Sequence, residues 1–259
     1  MGTPSGGSSP GASQIEQILG HAPTGIAKQI ADKGIIVIAD DSNYPPQSYI
    51  DTNNNLVGFD VDVGKKVAQI LGVTPKFVNP NWDSVPALLK AGRFDVSIGS
   101  MAADAANAKS LDFTQPYYYA AGQLMIRKGG TPIDSADQLK GKTVGVGAQT
   151  TYFAYLQNLG GVNVKAYTTL ADALPDLANG RLDAVLSSGL AEQEVIAKGE
   201  PFELTGKPLY YEGLTFAVRK GELDLLTILN HAIEQMHKDG SLSAMSKRWY
   251  QGLDLTVKQ

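Results

Sequence analysis

Apolar residues gather along this chain in short runs separated by amphipathic stretches, the alternation of an α/β protein whose strands are covered on both faces. Gly34-Ile-Ile-Val-Ile-Ala39 is dense in β-branched residues and bounded by turn signals, which predicts a buried strand. Val73–Val78, Phe94–Gly99, Gly141–Gly147, Val162–Tyr167 and Leu182–Leu186 read the same way. Between them, helical spacing covers Gln14–Asp32, Trp82–Ala91, Ala148–Leu159, Thr169–Ala178 and Glu192–Lys198. Gly58-Phe-Asp-Val-Asp62 opens a further helix, with Asp60 expected as its N-cap and Gly72 as its stop. Asp51–Val57 reads as a hairpin tip. The tail, Leu223–Trp249, places Leu225, Leu226, Leu229, Ile233, Met236 and Leu242 at helical spacing, with a break at Gly240.

One phrase occurs twice: Leu89-Lys-Ala-Gly-Arg-Phe-Asp-Val-Ser-Ile-Gly-Ser100 and Leu177-Ala-Asn-Gly-Arg-Leu-Asp-Ala-Val-Leu-Ser-Ser188. In each copy a helix stops at a Gly suited to the left-handed region, a charged turn follows, and a short strand ends in small residues. Each copy reads as the second half of a βαβ unit, or, more blandly, as a common helix-to-strand connector. Open α/β sheets bind ligands beyond the carboxyl ends of their strands, so Gly99, Ser100, Ser187 and Ser188 are expected near a ligand. Leu111–Ile126 and Leu209–Val218 each run from one copy's surroundings toward the other's. Two crossings make the second unit an insertion in the first: lobe 1 is residues 21–120 and 213–259, lobe 2 is residues 121–212. Residues 1–20 are expected to be a flexible tether, since the first 14 are mostly Gly, Ser and Pro. Such a tether fits an exported protein held off a membrane surface, or equally an expression linker.

Composition narrows the chemistry. The 259 residues are 43% apolar and 19% charged with a net charge of −4, ordinary for a folded protein and without the basic face that nucleic acid requires. No cysteine is present, which removes disulfides, thiolate metal sites and cysteine nucleophiles. Of the three histidines, His231 and His237 fall on different faces of one helix, so neither a zinc site nor a Ser-His-Asp triad is expected. Gly145-Val-Gly-Ala-Gln-Thr150 lacks the third glycine and downstream acid of a dinucleotide fingerprint. No cofactor is indicated.

From Ile35 to Gly252 the chain resembles the polar amino-acid-type extracytoplasmic solute-binding proteins of ABC importers. The phrases that carry the resemblance are Tyr44-Pro-Pro, Gly58-Phe-Asp-Val-Asp62, Trp82-Asp83, Ala91-Gly-Arg-Phe-Asp95, Leu111-Asp-Phe-Thr-Gln-Pro-Tyr117, Leu139-Lys-Gly-Lys-Thr-Val-Gly-Val146 and Asn179-Gly-Arg-Leu-Asp-Ala184. The resemblance implies a two-lobed clamshell of the periplasmic-binding-protein type 2, each lobe a mixed sheet flanked by helices, joined by two hinge strands. It also implies a monomer outside the cytoplasmic membrane that delivers a small-molecule ligand to a permease.

For the site, the resemblance implies that Tyr44 and Phe59 sandwich the ligand; beyond the resemblance, Trp82 or Tyr117 is expected to add an aromatic wall. Phe59 is otherwise a core residue ahead of a helix. Asp41 would meet a cationic side chain, or else cap its own loop. Thr150 and Thr151 match a helix N-terminus that receives a carboxylate, or are ordinary caps. Ser100 and Met101 close the first repeated strand beside this site.

The chain departs from that pattern where charge matters. Relatives that bind α-amino acids read Thr-x-Thr-x-x-Arg after the first repeated strand, and the arginine clamps the ligand carboxylate. Here the segment is Met101-Ala-Ala-Asp-Ala-Ala-Asn-Ala-Lys109, with Ala102 for a hydroxyl and Asn107 for the arginine. Ser188 stands where an aspartate pairs with the ligand ammonium, and Gln149 where glycine is usual. The expected ligand is therefore cationic or neutral, with Asp41 or Asp104 supplying negative charge and Asn107, Gln149, Thr150 and Ser188 neutral hydrogen bonds. The alanine-rich run from Ala102 to Ala108 fits either redesign of a natural pocket or divergence. Two other readings share the fold: a cyclohexadienyl dehydratase-like enzyme, and the ligand-binding module of a sensor.

Overall fold

The computed structural model describes residues 10–257. Helices α1 (Pro10–Leu19) and α2 (Gly25–Lys33) lead into β1 (Ile35–Ala39), the small strands β2 (Asn43–Tyr44), β3 (Ser48–Ile50) and β4 (Leu56–Val57), and α3 (Phe59–Leu71). β5 (Thr74–Val78), a 3-10 turn at Trp82–Ser84, α4 (Val85–Lys90), β6 (Val96–Ala102) and β7 (Leu111–Phe113) follow. The long strand β8 (Tyr118–Arg127) precedes β9 (Thr143–Gly147), α5 (Thr151–Leu159), β10 (Asn163–Tyr167), α6 (Leu170–Ala178), β11 (Ala184–Ser188) and α7 (Gly189–Ala197). The longer strand β12 (Phe202–Arg219) then leads to α8 (Leu223–Lys238) and α9 (Ser241–Trp249).

Among the described residues the main sheet runs β10-β9-β11-β8-β12-β6-β1-β5, with β7 beside β12. The order reads alike from both ends. In each arm a central strand pairs parallel with both neighbours: β9 with β10 and β11, β1 with β5 and β6. Antiparallel β8 and β12 join the arms, β8 lying on β11 and β12 on β6.

The repeated phrase is the structural basis of this symmetry. Gly92 and Gly180 both have φ of 71°, the left-handed value the turn requires. In each copy the Asp of Gly-Arg-x-Asp clasps the arm's central strand: Asp95 accepts from Val37 N–H and Asp183 from Thr143 N–H, both at 2.8 Å. The arginine that ends the adjacent long strand lies against each glycine, Arg219 at Gly92 and Arg127 at Gly180.

Buried apolar side chains separate into groups. One unites Ile36, Ile38, Phe59, Val63, Val67 and Ile98 with Phe216, Ile228 and Leu229 from the end of the chain. Others hold Leu124, Val144, Val146, Leu156 and Leu186, and Met125, Leu177, Val185 and Phe202. The molecule is thus a mixed α/β protein of two lobes built along one sheet.

Two expectations are corrected. The tether over residues 1–20 extends too far: residues 1–9 lie outside the described residues, but Pro10–Leu19 is helical and its Ile15 is fully buried in the first core. The helical spacing read from Gln14 onward overlaps that tether, and its apolar stripe at Ile15, Ile18 and Leu19 packs onto the core. Asp60 is not an N-cap. Gly58 takes that position, where a Cβ would overlap the Gln47 carbonyl, and Asp60 lies inside the first turn, fully buried.

Candidate functional site

A cleft opens at the carboxyl ends of the parallel strands in both arms. From the first arm come Asp41 and Tyr44 of the β1–β3 segment, Trp82, and the end of β6 with Ser100, Met101, Ala102, Asp104 and Asn107. From the second come Gln149, Thr150, Thr151 and Tyr152 at the start of α5, Thr169 and Leu170 at the start of α6, and Ser187 at the tip of β11. Glu212 of β12 completes the wall between them.

Several expected ligand groups are already engaged internally. Asp41 accepts from the backbone N–H of Asn43 at 2.9 Å and from its amide at 3.3 Å, so it braces its own loop while lining the cleft. Burial raises its pKa above the ordinary carboxyl value. Asp104 accepts from the N–H groups of Ala106 and Asn107 and from the Asn107 amide, each at 2.8 Å. Asn107 therefore spends its amide on Asp104 and locks the alanine-rich segment into a turn. Thr150 caps α5: its hydroxyl donates to Gly147 O at 2.8 Å and accepts from Phe153 N–H at 3.1 Å.

Ser100 lines the cleft but turns its hydroxyl inward. It has φ of 58°, donates to Asp60 at 2.6 Å and accepts from the Tyr118 phenol at 2.7 Å. Tyr117 donates to the other Asp60 oxygen at 2.6 Å. Burial pushes the Asp60 carboxyl up to about 7 despite these donors. Asp40 beside it is pushed well up, by burial first and by the Asp60 charge second. The floor of the cleft thus rests on a buried carboxyl pair.

Three of the expected residues do not line the cleft. Phe59 and Tyr117 are fully buried and absent from the cleft wall, their rings belonging to a cluster with Tyr118 and Tyr250. The helix that Phe59 begins turns its ring into the core, the alternative its position ahead of a helix already allowed. Ser188 is also fully buried, one position past Ser187, which does reach the cleft. Alternation along β11 explains the slip, since successive residues point to opposite faces.

Glu212 was missed, and with it Tyr152 and Thr169. Its signal was an acid within the otherwise apolar and aromatic run Leu209-Tyr-Tyr-Glu-Gly-Leu-Thr-Phe-Ala-Val218. Glu212 accepts from the Thr151 hydroxyl at 3.0 Å, and burial raises its pKa. The cleft wall therefore carries three carboxyls, Asp41, Asp104 and Glu212, and among the described residues lining it none is Lys, Arg or His. The aromatic faces of Tyr44, Trp82 and Tyr152 add surfaces suited to cations.

The family model for bacterial extracellular solute-binding proteins, family 3, matches residues 36–252. The L-cystine-binding protein TcyJ of Escherichia coli (strain K12) is 36% identical over 239 residues, covering 91% of this chain and 89% of that protein. Among solved structures, an ancestral arginine-binding protein bound to arginine superposes with a TM-score of 0.79 at 32% identity, covering 84% of this chain and 98% of its own. The ancestral amino acid-binding protein AncCDT-1, a precursor of cyclohexadienyl dehydratase, superposes with a TM-score of 0.80 at 27% identity, covering 86% and 98%.

Proposed function

This chain belongs to family 3 of the bacterial extracellular solute-binding proteins, and on that premise we propose that it traps a small cationic or neutral solute and presents it to an ABC importer without altering it. The proposed lobes are residues 21–120 with the chain from 213 onward, and residues 121–212. Strands β8 and β12 are the linkers about which they turn, closing on a ligand that contacts both. The protein acts outside the cytoplasmic membrane as a monomer. No helix among the described residues is long and apolar enough to cross a membrane.

The observation that carries this reading is the charge of the cleft wall: three carboxyls and, among the described lining residues, no cationic side chain. A ligand carboxylate entering there would lose its hydration without gaining a cationic partner, a cost of several kcal/mol. A guanidinium or ammonium meets the opposite field. Calorimetric titration tests this with agmatine, L-arginine and L-glutamine, which share a polar chain but differ in charge. Agmatine is expected to bind at micromolar or tighter affinity and L-glutamine far more weakly; equal or tighter binding of L-glutamine overturns the reading.

The kinship with AncCDT-1 keeps one enzymatic reading in view, elimination of water from a carboxylate-bearing ring. Glu212, with its raised pKa, has the character of a general acid. The cleft wall provides no cationic side chain to hold such a substrate, so binding is the better supported function. Turnover of prephenate would reverse that order.

A further inference from the structure

We infer that Glu212 selects a cationic nitrogen in the cleft and, standing on the strand that links the lobes, couples the ligand's charge to lobe closure. The inference rests on the binding-protein reading and names the residue that would make it charge-selective. Glu212 lies opposite Ala120 of β8 in the central antiparallel ladder, where both proposed linkers pass. It faces two spaces, the cleft and an adjoining groove under Pro116, Tyr119 and Tyr211, and with Ala102, Asp104 and Thr151 it forms the partition between them.

The carboxylate is held in place from the second arm. Thr151, the first residue of α5, donates to it at 3.0 Å and is approached at 3.4 Å by the Tyr210 phenol. It therefore sits at the helix N-terminus, where unpaired N–H groups favour negative charge. A ligand carboxylate directed there would meet Glu212 already in residence. The groups facing Glu212 are Asp104 from the β6 side, the phenols of Tyr44 and Tyr152, and Tyr210 on its own strand. None is a cation. Asp104 and Glu212 repel when both are ionised, Asp104 being carried by the first arm and Glu212 held by Thr151 of the second. Bringing the lobes together costs free energy until a positive charge lies near both, and a ligand with an ammonium or guanidinium and no carboxylate supplies it.

The test titrates agmatine and L-citrulline, a neutral-side-chain zwitterion, into the unaltered protein and into Glu212→Gln, with circular dichroism to confirm folding. A fivefold or greater loss of agmatine affinity in E212Q, with L-citrulline unchanged or improved, supports the inference; a smaller loss overturns it. Failure of the unaltered protein to bind agmatine overturns the cationic reading and this inference together. Should E212Q not fold, Thr151→Val decides the matter, since it keeps the carboxylate and removes one of its two side-chain donors, leaving Tyr152. Loss of that donor raises the Glu212 pKa, so the acid limb of agmatine binding should move up by at least half a pH unit; an unmoved limb overturns the inference. Small-angle scattering reads closure: agmatine should contract the unaltered protein, and E212Q should be contracted to a similar degree without it.

Discussion

The ring of Phe59 lies parallel to that of Tyr117, the planes 4° apart and the centroids 5.9 Å apart. Both residues are fully buried, and Phe59 also meets Tyr118 edge-on at 5.3 Å. This stack is a core element under the cleft floor rather than a ligand clamp. Phe59→Ala should cost about 3–5 kcal/mol of stability, the usual range for emptying a buried aromatic site. Tyr44→Ala, on the cleft wall, should instead weaken agmatine binding about 2- to 30-fold, from a cation–π or stacking contribution of roughly 0.5–2 kcal/mol. Thermal melts and calorimetry on the two variants separate these roles; a Phe59→Ala protein that melts like the parent would contradict the assignment.

Asp60 makes stability depend on pH. Its folded pKa, pushed to about 7 by burial, lies above the ordinary 3.8, so the folded state holds a proton that the unfolded chain releases. The resulting stabilisation is complete below about pH 4 and disappears as pH rises through about 7. Asp40 and Glu192, both buried with raised pKa, act in the same direction. Asp60→Asn resembles the protonated acid, with one acceptor oxygen and one donor group facing Ser100 and Tyr117. Melting temperatures from pH 5 to pH 8 should fall less steeply in this variant than in the parent, and at pH 8 it should be at least as stable. An equal slope in the two proteins would show that the carboxyl is ionised throughout.

The twin clasps of the repeat should differ in energetic weight. Asp95 is half-buried while Asp183 is exposed, although each accepts a strand N–H at 2.8 Å. An N–H orphaned away from water costs about 1–3 kcal/mol, whereas one that water can reach costs less. Asp95→Ala should therefore lower stability more than Asp183→Ala in denaturant titrations, and Asp95→Asn should recover part of the loss. Equal effects of the two alanine variants would count against burial as the cause.

Much of the scaffold was legible because period and punctuation agree: the runs at Ile35–Ala39 and Thr143–Gly147, the stop at Gly72 and the break at Gly240 all stand where local chemistry places them. The twofold topology followed from the repeated Gly-Arg-x-Asp phrase. What failed was facing. Whether Phe59 or Tyr44 meets a ligand, and whether Ser187 or Ser188 does, depends on which way one residue of a helix start or strand turns once packed. Composition concealed only the first turn of α1, since the helical spacing read from Gln14 already held the apolar residues that pack on α2, α3 and α8. Glu212 escaped because its strand was read as a crossing, so the one acid in an apolar run was not asked for its partner.

Gln149 offers a last test of what the cleft mouth admits. It is exposed and has φ of 57°, left-handed backbone that costs a residue with a side chain about 1–2 kcal/mol. Glycine removes that strain but adds about 0.4–1 kcal/mol of unfolded-state entropy, so Gln149→Gly should be neutral to mildly stabilising. Its effect on recognition should be larger. Without the side chain, the first N–H groups of α5 become more accessible to a ligand anion, while the carboxyls that attract a cation stay in place. L-Arginine should thus gain several-fold in affinity while agmatine, which carries no carboxylate, changes little. Equal gains for both ligands would mean that Gln149 obstructs the mouth without regard to charge.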